Sequence, residues 1–392
     1  MRDRGADGRP APAGGPVIAS RAAMAVPLMD IQAQYGPLRA EIDAAIAGVL
    51  DSGRFILGPE GRALEASVSE RLDGRPCVGV ANGTDALVIA LHALDIGPGD
   101  EVITTPYTFY ATAEAIARVG ATPVFCDIDP VTHCLDPQGV RARIGAATKA
   151  ILPVHIFGHP APMAELMAIA REHGLVVVED SAQAFGARAP EGEIGTFGDA
   201  ATFSFFPTKN FPGMGDGGMV VCRDEELAER VRRLRFHGSK DKVVFEEVGY
   251  NSRLDDLQAA IIRVFYPHLD GWNARRAQAA EWYAQEGLGE LMTLPGVTPG
   301  ATHIYHLFMA RHPRRAEIQA ALGEAGVSSA VYYGIPMHLQ PVFAPLGYSE
   351  GDLPVAEECA ATALALPMHP NLTRQDVAAV VAAVGSAVEG LG

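Results

Sequence analysis

Lys209 stands in a loop rich in aromatic residues and glycine, within the run ATFSFFPTKNFPGMGDGGMVVC at residues 201–222. Four phenylalanines lie close to it in the sequence: Phe203, Phe205, Phe206 and Phe211. A lysine is usually a solvated surface residue, but apolar surroundings lower the pKa of its amine and favour the neutral, nucleophilic form. The pattern therefore predicts that Lys209 reacts with a carbonyl group to form a Schiff base.

A carboxylate, Asp180, follows an apolar predicted strand in the run VVVEDSAQAFGA at residues 176–187. One interpretation is that Glu179 and Asp180 form an acidic pair that caps the next turn. The other takes Lys209 into account, because a Schiff-base lysine needs an electron sink. Pyridoxal phosphate (PLP) is such a sink, and it requires a carboxylate at its ring nitrogen. Asp180 and Lys209 follow successive predicted strands and could meet both requirements.

Two further runs carry residues suited to a phosphate and to a flat ring. Gly83 and Thr84 open a predicted helix in ANGTD, where free N–H groups and the helix dipole favour an anion. An ordinary helix cap at Asn82 is the alternative, since Asn and Thr cap many helices. The run TTPYTFY at 104–110 ends another predicted strand, and its aromatic side chains suit either stacking on a ring or packing in a core.

Alternating strands and helices position these residues. The predicted strands are 101–105, 123–127, 150–155, 175–179, 201–205 and 219–222, and the predicted helices are 84–94, 112–118, 163–173 and 225–235. Strands that are apolar on both faces, such as Val176 to Val178, indicate a mostly parallel sheet between helix layers. The fold class predicted is therefore α/β, with ligands at the carboxyl ends of the strands.

After a helical stretch at 255–265 and 273–285 the chain changes to a smaller α+β pattern. Strands are predicted at 304–310 and 327–333, a helix at 314–325, and a last helix through 387 that starts with a capping box at Thr373 to Asp376. We therefore expect a flexible extension at 1–24, a large domain at 25–270 and a small C-terminal domain at 271–392.

Composition narrows the functional classes. The chain has 392 residues and a formal net charge of −16, without a Lys/Arg-rich block, which argues against nucleic acid or an anionic membrane as the main partner. No apolar run approaches the roughly 18 residues that span a bilayer. Five scattered cysteines without a C-x-x-C pair indicate reduced thiols and a cytoplasmic protein: Cys77, Cys126, Cys134, Cys222 and Cys359.

Two other chemistries fit the sequence less well. The run GMGDGG at 213–218 satisfies G-x-G-x-x-G, the pattern of an NAD-dependent oxidoreductase, but a strand-like MVVC follows it where that pattern requires a helix. His155 and His159 have the i, i+4 spacing of zinc ligands, but they flank a strand exit and no H-E-x-x-H is present. We therefore expect no metal site.

Taken together and in this order, the motifs resemble those of the DegT/DnrJ/EryC1/StrS family of PLP-dependent aminotransferases. Besides the runs above, the similar segments are GPE at 58–60, NGTDAL at 82–87, PYTFYAT at 106–112, GYNSR at 249–253, HLQP at 338–341 and GDLPVAE at 351–357. The resemblance extends from residue 26 to the last helix and implies the fold-type I architecture, with a seven-stranded mixed sheet.

The resemblance also implies roles for individual residues. Lys209 would form the internal aldimine and move the proton in a ping-pong transamination, while Asp180 would hold the ring nitrogen protonated. The other cofactor contacts would come from Gln183 at the ring hydroxyl, Phe109 stacked on the ring, Gly83, Thr84 and Ser204 at the phosphate, and Asn251 of a neighbouring subunit. The last contact implies a homodimer with shared active sites.

Substrates and alternatives follow from the same resemblance. The family mostly aminates nucleotide-activated keto sugars, and the run YYGIPMHLQPVF at 332–343 resembles the branch that often takes 3-keto sugars, with Tyr333 and His338 as candidate substrate contacts. L-glutamate is the expected amino donor. A 4-keto sugar, a keto-cyclitol and a non-catalytic PLP-binding regulator remain alternatives. Lys209 argues against relatives with histidine there, which dehydrate, and RVFYPHL at 263–269 departs from the family pattern.

Overall fold

A seven-stranded sheet forms the centre of the larger part of the chain. The structure is a computed structural model that describes residues 26–391, so the predicted extension at 1–24 lies outside the described residues. The strands, in chain order, are β1 (Cys77–Val80), β2 (Glu101–Thr104), β3 (Thr122–Phe125), β4 (Thr148–Leu152), β5 (Val176–Asp180), β6 (Arg188–Ala189), β7 (Gly192–Glu193), β8 (Ala200–Ser204), β9 (Gly218–Cys222), β10 (Phe308–Arg311) and β11 (Ala363–Leu366).

Helices surround this sheet and build the rest of the described chain. They are α1 (Ile31–Tyr35), α2 (Arg39–Ser52), α3 (Pro59–Arg71), α4 (Gly83–Ala93), α5 (Tyr110–Arg118), α6 (Pro137–Arg143), α7 (Met163–His173), α8 (Glu225–Leu234), α9 (Asp256–Phe265), α10 (Leu269–Gln285), α11 (Arg315–Glu324), α12 (Pro354–Thr362) and α13 (Arg374–Glu389). Within residues 26–391, none is long and apolar enough to cross a membrane.

The strand order β1-β9-β8-β5-β4-β2-β3 decides which residues meet. The pairs β3–β2, β2–β4, β4–β5 and β5–β8 are parallel, and β9 is antiparallel to both β1 and β8. The carboxyl ends of β1, β5 and β8 therefore share one edge with the start of β9. The α/β fold class predicted from the sequence is confirmed.

Burial explains why the parallel strands form. In β5 the side chains of Val177 and Val178, which point to opposite faces, are both fully buried, because helices cover the sheet on both sides. The amphipathic α8 begins at Asp224, whose side chain accepts a hydrogen bond from the N–H of Leu227 at 2.9 Å. It places Leu227, Val231 and Leu234 in the interior.

A second apolar cluster lies around the antiparallel pair β10–β11. It is built from α10, α11 and α13, and Val26 joins it from the other end of the described chain. Val26 bridges to Val327, and the N–H of Met368 donates to the carbonyl of Leu28 at 3.0 Å. The division proposed between residues 270 and 271 falls inside α10, which contacts both parts.

Two predictions about this region had different outcomes. The capping box at the start of α13 is present, because the Thr373 side chain bonds the N–H of Asp376 and the Asp376 side chain bonds the N–H of Thr373. The strand predicted at 327–333 is wrong. That segment makes isolated bridges only, from Val327 to Val26 and from Ala330 to Ala365. Its main chain changes partner after three residues, so a continuous ladder does not form.

Candidate active site

A cavity of 440 Å³ opens at the edge of the sheet where β5 and β8 end. Most of the residues singled out from the sequence line it: Gly83, Thr84, Phe109, Asp180, Gln183, Ser204, Lys209 and Tyr333. They come from separate segments of the chain, and the parallel strands bring them together. Asn251 and His338 are not among the lining residues.

Lys209 lies in the loop that follows β8, where its N–H donates to the carbonyl of Phe206 at 2.8 Å. Its side chain is partly buried and faces the cavity. Burial lowers the pKa of Lys209 to about 8, although the nearby negative charge of Asp180 acts in the opposite direction. Near neutral pH an appreciable fraction of this amine is therefore uncharged and able to act as a nucleophile.

The phenylalanines around Lys209 in the sequence do not surround it in space. Phe203, Phe205 and Phe211 are fully buried and pack with Phe185 in an apolar cluster of their own. Only Phe206, which is half exposed, lines the cavity. Three of the four phenylalanines therefore do not line the cavity that Lys209 faces, although the lowered pKa expected from apolar surroundings is present.

Asp180 is the last residue of β5, and its carboxylate is held on both oxygens. Oδ2 accepts from the hydroxyl of Thr112 at 2.7 Å, and Oδ1 accepts from the N–H of Ala182 at 3.2 Å. Burial raises the pKa of Asp180, while these two hydrogen bonds and the charge of Lys209 act to lower it. A buried carboxylate in this setting favours a cationic ligand, because a positive charge offsets the loss of water.

Glu179 has a separate, structural role. Its fully buried carboxylate accepts hydrogen bonds from the N–H groups of Gly195, Phe197 and Gly198 at 2.8–2.9 Å. The Nε2 of His155 lies 3.2 Å from its Oε2. Although burial favours protonation, the His155 and backbone hydrogen bonds hold the pKa of Glu179 below its usual range. Glu179 therefore has the structural role alone, whereas Asp180 both bonds the N–H of Ala182 in the next turn and faces the cavity.

The start of α4 lies very close to the carboxyl end of β8 and to the first residue of β9. Asn82 caps the helix by accepting from the N–H of Asp85 at 2.8 Å. A Cβ on Gly83 would lie 2.7 Å from the Cβ of Ser204, and one on Gly218 would lie 2.4 Å from the backbone carbon of Asn82. Only glycine allows this approach. It brings the N–H groups at the helix start and the Ser204 hydroxyl to one side of the cavity, an arrangement that fits a phosphate.

Three further side chains form the opposite wall. The Phe109 ring is 54% exposed, and its centroid lies 6.1 Å from that of Tyr333. The amide of Gln183 accepts from the N–H of Phe157 at 2.7 Å and donates to the Tyr333 hydroxyl at 3.1 Å. An exposed aromatic face beside a fixed amide donor suits a flat ring that carries a hydroxyl group.

Two candidates lie elsewhere in the chain. His338 is 1% exposed, and its Nε2 is 3.0 Å from the Oε1 of Glu357, which also accepts from the N–H of Gly351. Asn251 is exposed, and its Oδ1 accepts from the guanidinium of Arg253. Within a single chain neither side chain reaches the cavity.

The structure also adds residues to the site. Thr112 bonds Asp180, Asp216 lines the cavity near the helix start, and the buried His306 lies beside the Lys209 loop with its Nδ1 3.2 Å from the Oδ1 of Asn210. Burial lowers the pKa of His306 well below its usual value, so the imidazole is neutral. Thr112 and Asp216 belong to motifs quoted above, whereas His306 falls in the predicted strand 304–310, which begins only at Phe308.

The alternative chemistries find no support in the geometry. The glycine run at 213–218 leads directly into β9, so no helix begins at the point where a dinucleotide would need one. His155 is bonded to Glu179, and His159 accepts from the N–H of Thr298 at 3.0 Å. Among the described residues, no group of three or more His, Cys, Asp or Glu side chains is arranged to hold a metal ion.

Comparison with known proteins adds independent findings. The profile of the DegT/DnrJ/EryC1/StrS aminotransferase family matches residues 37–385. A Geobacillus stearothermophilus protein named pleiotropic regulatory protein is 50% identical over 361 residues, which cover 91% of this chain and 97% of that protein. The UDP-N-acetyl-3-dehydro-α-D-glucosamine 3-aminotransferase of Acidithiobacillus ferrooxidans is 46% identical over 366 residues, covering 93% and 99%.

A solved structure gives the same result. The crystal structure of S. venezuelae DesV in complex with a ketimine intermediate superimposes with a TM-score of 0.90 at 45% identity, covering 93% of this chain and 99% of that one. Sequence profile, full-length relatives and fold therefore agree, and the chain belongs to the DegT/DnrJ/EryC1/StrS aminotransferase family.

Proposed function

We propose that the protein is a PLP-dependent aminotransferase that moves an amino group from L-glutamate to the keto group of a nucleotide-activated sugar, with a 3-keto sugar favoured. The observation that carries the proposal is the shared cavity of Lys209 and Asp180 beside the narrow approach of Gly83 to Ser204. A nucleophilic amine, a buried carboxylate and an anion site are the three groups that PLP needs.

The residues present fit this cofactor. The N–H groups of Gly83 and Thr84 and the hydroxyl of Ser204 would hold its phosphate, Asp180 its ring nitrogen, Gln183 its ring hydroxyl, and Phe109 the face of its ring. PLP supplies an aldehyde that reacts with amines and a ring that withdraws electrons from the neighbouring carbon.

The chain's own residues supply the proton chemistry. Lys209, with its pKa near 8, gives up a proton readily and takes it back, which suits transfer to and from the substrate carbon. Asp180 would keep a proton on the ring nitrogen, because an ionised carboxylate stabilises a positive charge beside it. Thr112 and Ala182 each donate a hydrogen bond to one oxygen of that carboxylate.

Absorbance spectroscopy tests the cofactor and the amino donor. Purified protein incubated with PLP should show a chromophore that L-glutamate bleaches. Lys209→Ala should lose both the Lys-linked absorption and turnover while its circular dichroism stays that of the wild type. Asp180→Asn should bind PLP but react far more slowly, because a neutral amide does not stabilise the protonated ring nitrogen. Normal turnover by Lys209→Ala would exclude the proposal.

The substrate class rests on the relatives. The name of the Acidithiobacillus relative specifies a nucleotide sugar aminated at carbon 3, and its similarity covers nearly the whole of both chains. A panel of nucleotide-linked 3-keto and 4-keto sugars, made in situ, and of keto-cyclitols should show turnover of a 3-keto sugar above the others. Preference for a 4-keto sugar or a keto-cyclitol would change the substrate and leave the aminotransferase in place.

A regulatory role is the second candidate, because the Geobacillus relative carries a regulatory name. The set of Lys209, Asp180, Gln183 and Ser204 in one cavity argues for catalysis, because it is the complete set that the family resemblance implies for turnover. The two functions give different results with L-glutamate. A bound chromophore that the donor leaves unchanged would favour the regulator.

The proposed homodimer depends on Asn251, which in one chain is exposed and outside the cavity. If Asn251 reaches the partner's cofactor, a dimer of one Lys209→Ala chain and one Asn251→Ala chain has both defects in one site and a wild-type second site. Random mixing of the two inactive variants should restore roughly a quarter of the wild-type activity. Asn251→Ala must first be shown to be impaired alone. Mixing that is verified by mass and restores nothing would place Asn251 in cis.

A further inference from the structure

Two threonine hydroxyls form a chain that ends on the Asp180 carboxylate. Thr108 Oγ1 and Thr112 Oγ1 are 2.9 Å apart, and Thr112 Oγ1 lies 2.7 Å from Asp180 Oδ2. Both threonines are 1% exposed, and both belong to the wall of the cavity. Of the residues in this motif, the proposed cofactor contacts include only Phe109.

The chemistry of the groups determines which atom donates. An ionised carboxylate can only accept, so Thr112 gives its single hydroxyl hydrogen to Asp180. Thr112 then offers only lone pairs to Thr108, and Thr108 must be the donor in that pair. Since Ala182 donates to the other carboxylate oxygen at 3.2 Å, each oxygen of Asp180 has one acceptor direction occupied. Hydrogen bonds to both oxygens therefore fix the orientation of the carboxylate group.

We propose that Thr112 is a positioning residue, whose hydroxyl, supported by that of Thr108, holds the Asp180 carboxylate so that a free lone pair faces a cationic ring nitrogen in the cavity. The inference rests on the proposed function, because it assumes a PLP ring. Hydrogen bonds to ionised groups are short and about twice as strong as neutral ones, and the 2.7 Å separation agrees with this class. Thr112 acts on the ring only through Asp180.

Ligand discrimination by the apoprotein tests the inference without turnover. The probes are PLP and 1-deazapyridoxal 5′-phosphate, in which C–H replaces the ring nitrogen. Thr112→Val removes the hydroxyl and keeps the shape, while Thr112→Ser keeps the hydroxyl. The preference for PLP over its analogue should fall about tenfold to a hundredfold in Thr112→Val, the loss of one hydrogen bond to a charge. Thr112→Ser should retain it, and Thr108→Val should lose a smaller part.

A second measurement reports on Asp180 directly. The apoprotein is labelled with ¹³C at the aspartate carboxyl carbons, and the pKa of Asp180 is measured by NMR titration. Thr112→Val should raise this pKa, because in the wild type the hydrogen bond from Thr112 lowers it. A purely structural threonine would leave the preference between the two ligands unchanged in Thr112→Val, or would weaken both ligands equally in Thr112→Val and Thr112→Ser. Either result overturns the inference.

The outcomes also separate this inference from the function on which it rests. Wild-type protein that binds neither ligand overturns the proposed PLP function and the inference with it. Wild-type protein that binds both ligands equally, or a wild-type preference for PLP that Thr112→Val leaves intact, overturns the inference alone. If Thr112→Val does not fold, Thr108→Val decides: a reduced preference supports the hydroxyl chain and an unchanged preference refutes it.

Discussion

Substitution of Gly83 by alanine tests the anion site through one added methyl group. The backbone of Gly83 is helical, so alanine meets no conformational barrier there. The new Cβ would lie 2.7 Å from the Cβ of Ser204, 3.1 Å from its Oγ and 3.3 Å from its Cα. Contacts this short force the start of α4 away from the end of β8, and overpacking of this kind costs about 1–3 kcal/mol.

The displacement acts on the groups that would hold a phosphate. If the whole cost falls on the bound state, the dissociation constant for PLP rises about 5- to 150-fold, because each 1.4 kcal/mol is about a factor of ten. Pyridoxal lacks the phosphate and should lose much less affinity. Fluorescence titration of the apoprotein with both ligands measures the difference.

Gly61→Ala is the matched control. Gly61 also lies in the first turn of a helix, α3, and nothing lies within 4 Å of an added Cβ. Alanine there should leave both affinities unchanged and stabilise the protein by about 0.5–1 kcal/mol. Wild-type affinity of Gly83→Ala for PLP, or an equal loss for pyridoxal, would refute the assignment of this helix start to the phosphate.

Three other outcomes follow from the described contacts. Burial lowers the pKa of Lys209 to about 8, and only the neutral amine attacks. Stopped-flow rates of PLP addition should therefore rise with pH through about 8 and then level off. A rise that continues toward the ordinary lysine pKa of 10.5 would contradict the burial argument. Glu179→Gln leaves buried N–H groups poorly paired and should reduce the free energy of unfolding in urea by about 1–3 kcal/mol. In the wild type the pKa of Glu179 is lowered, so the stability that its ionised carboxylate contributes should be lost as the pH falls. His338→Ala breaks the contact with Glu357 and should lower the stability of the protein while the affinity for PLP stays unchanged. A raised KM for the sugar at wild-type stability would instead support the substrate role predicted from the sequence.

Much of the site could be predicted because its residues follow strands. Asp180 and Ser204 each end a parallel strand, and adjacent parallel strands bring their carboxyl ends to one edge regardless of the loops between them. Lys209 lies in the loop that follows Ser204. For these residues a correct assignment of strands is enough to predict their proximity.

Other parts depend on contacts that no local pattern contains. Thr112 and Asp180 are 68 positions apart, and their hydrogen bond depends on how α5 packs against β5. The direction in which Phe203, Phe205 and Phe211 point likewise depends on the position of Phe185, which supplies their packing partner. Residue types near Lys209 could indicate apolar surroundings but could not tell which side of the loop faces the cavity.

The omission of β1 from the predicted strands and the wrong strand at 327–333 have related causes. The first strand, β1, has only four residues, CVGV, and includes a glycine, so its local preference is weak. It exists because β9 pairs with it along its whole length. Val327 to Tyr333 has strong local preference for a strand, but it makes only isolated bridges at Val327 and Ala330, and Tyr332 and Tyr333 line the cavity. In both cases pairing outweighs propensity.

The bridge between Val26 and Val327 and the bond from Met368 to Leu28 bear on how the protein is made. The ribosome adds Leu28 to the chain long before Met368. With roughly 340 intervening residues at roughly 5–20 residues per second, the interval is on the order of 20–70 s. Throughout that time the first segment lacks its partners. Met29, next in the chain, is part of the cavity wall, so a nascent chain that has already formed the sheet still has an incomplete cavity. The ability to bind a ligand should therefore arise only after Met368 has been synthesised.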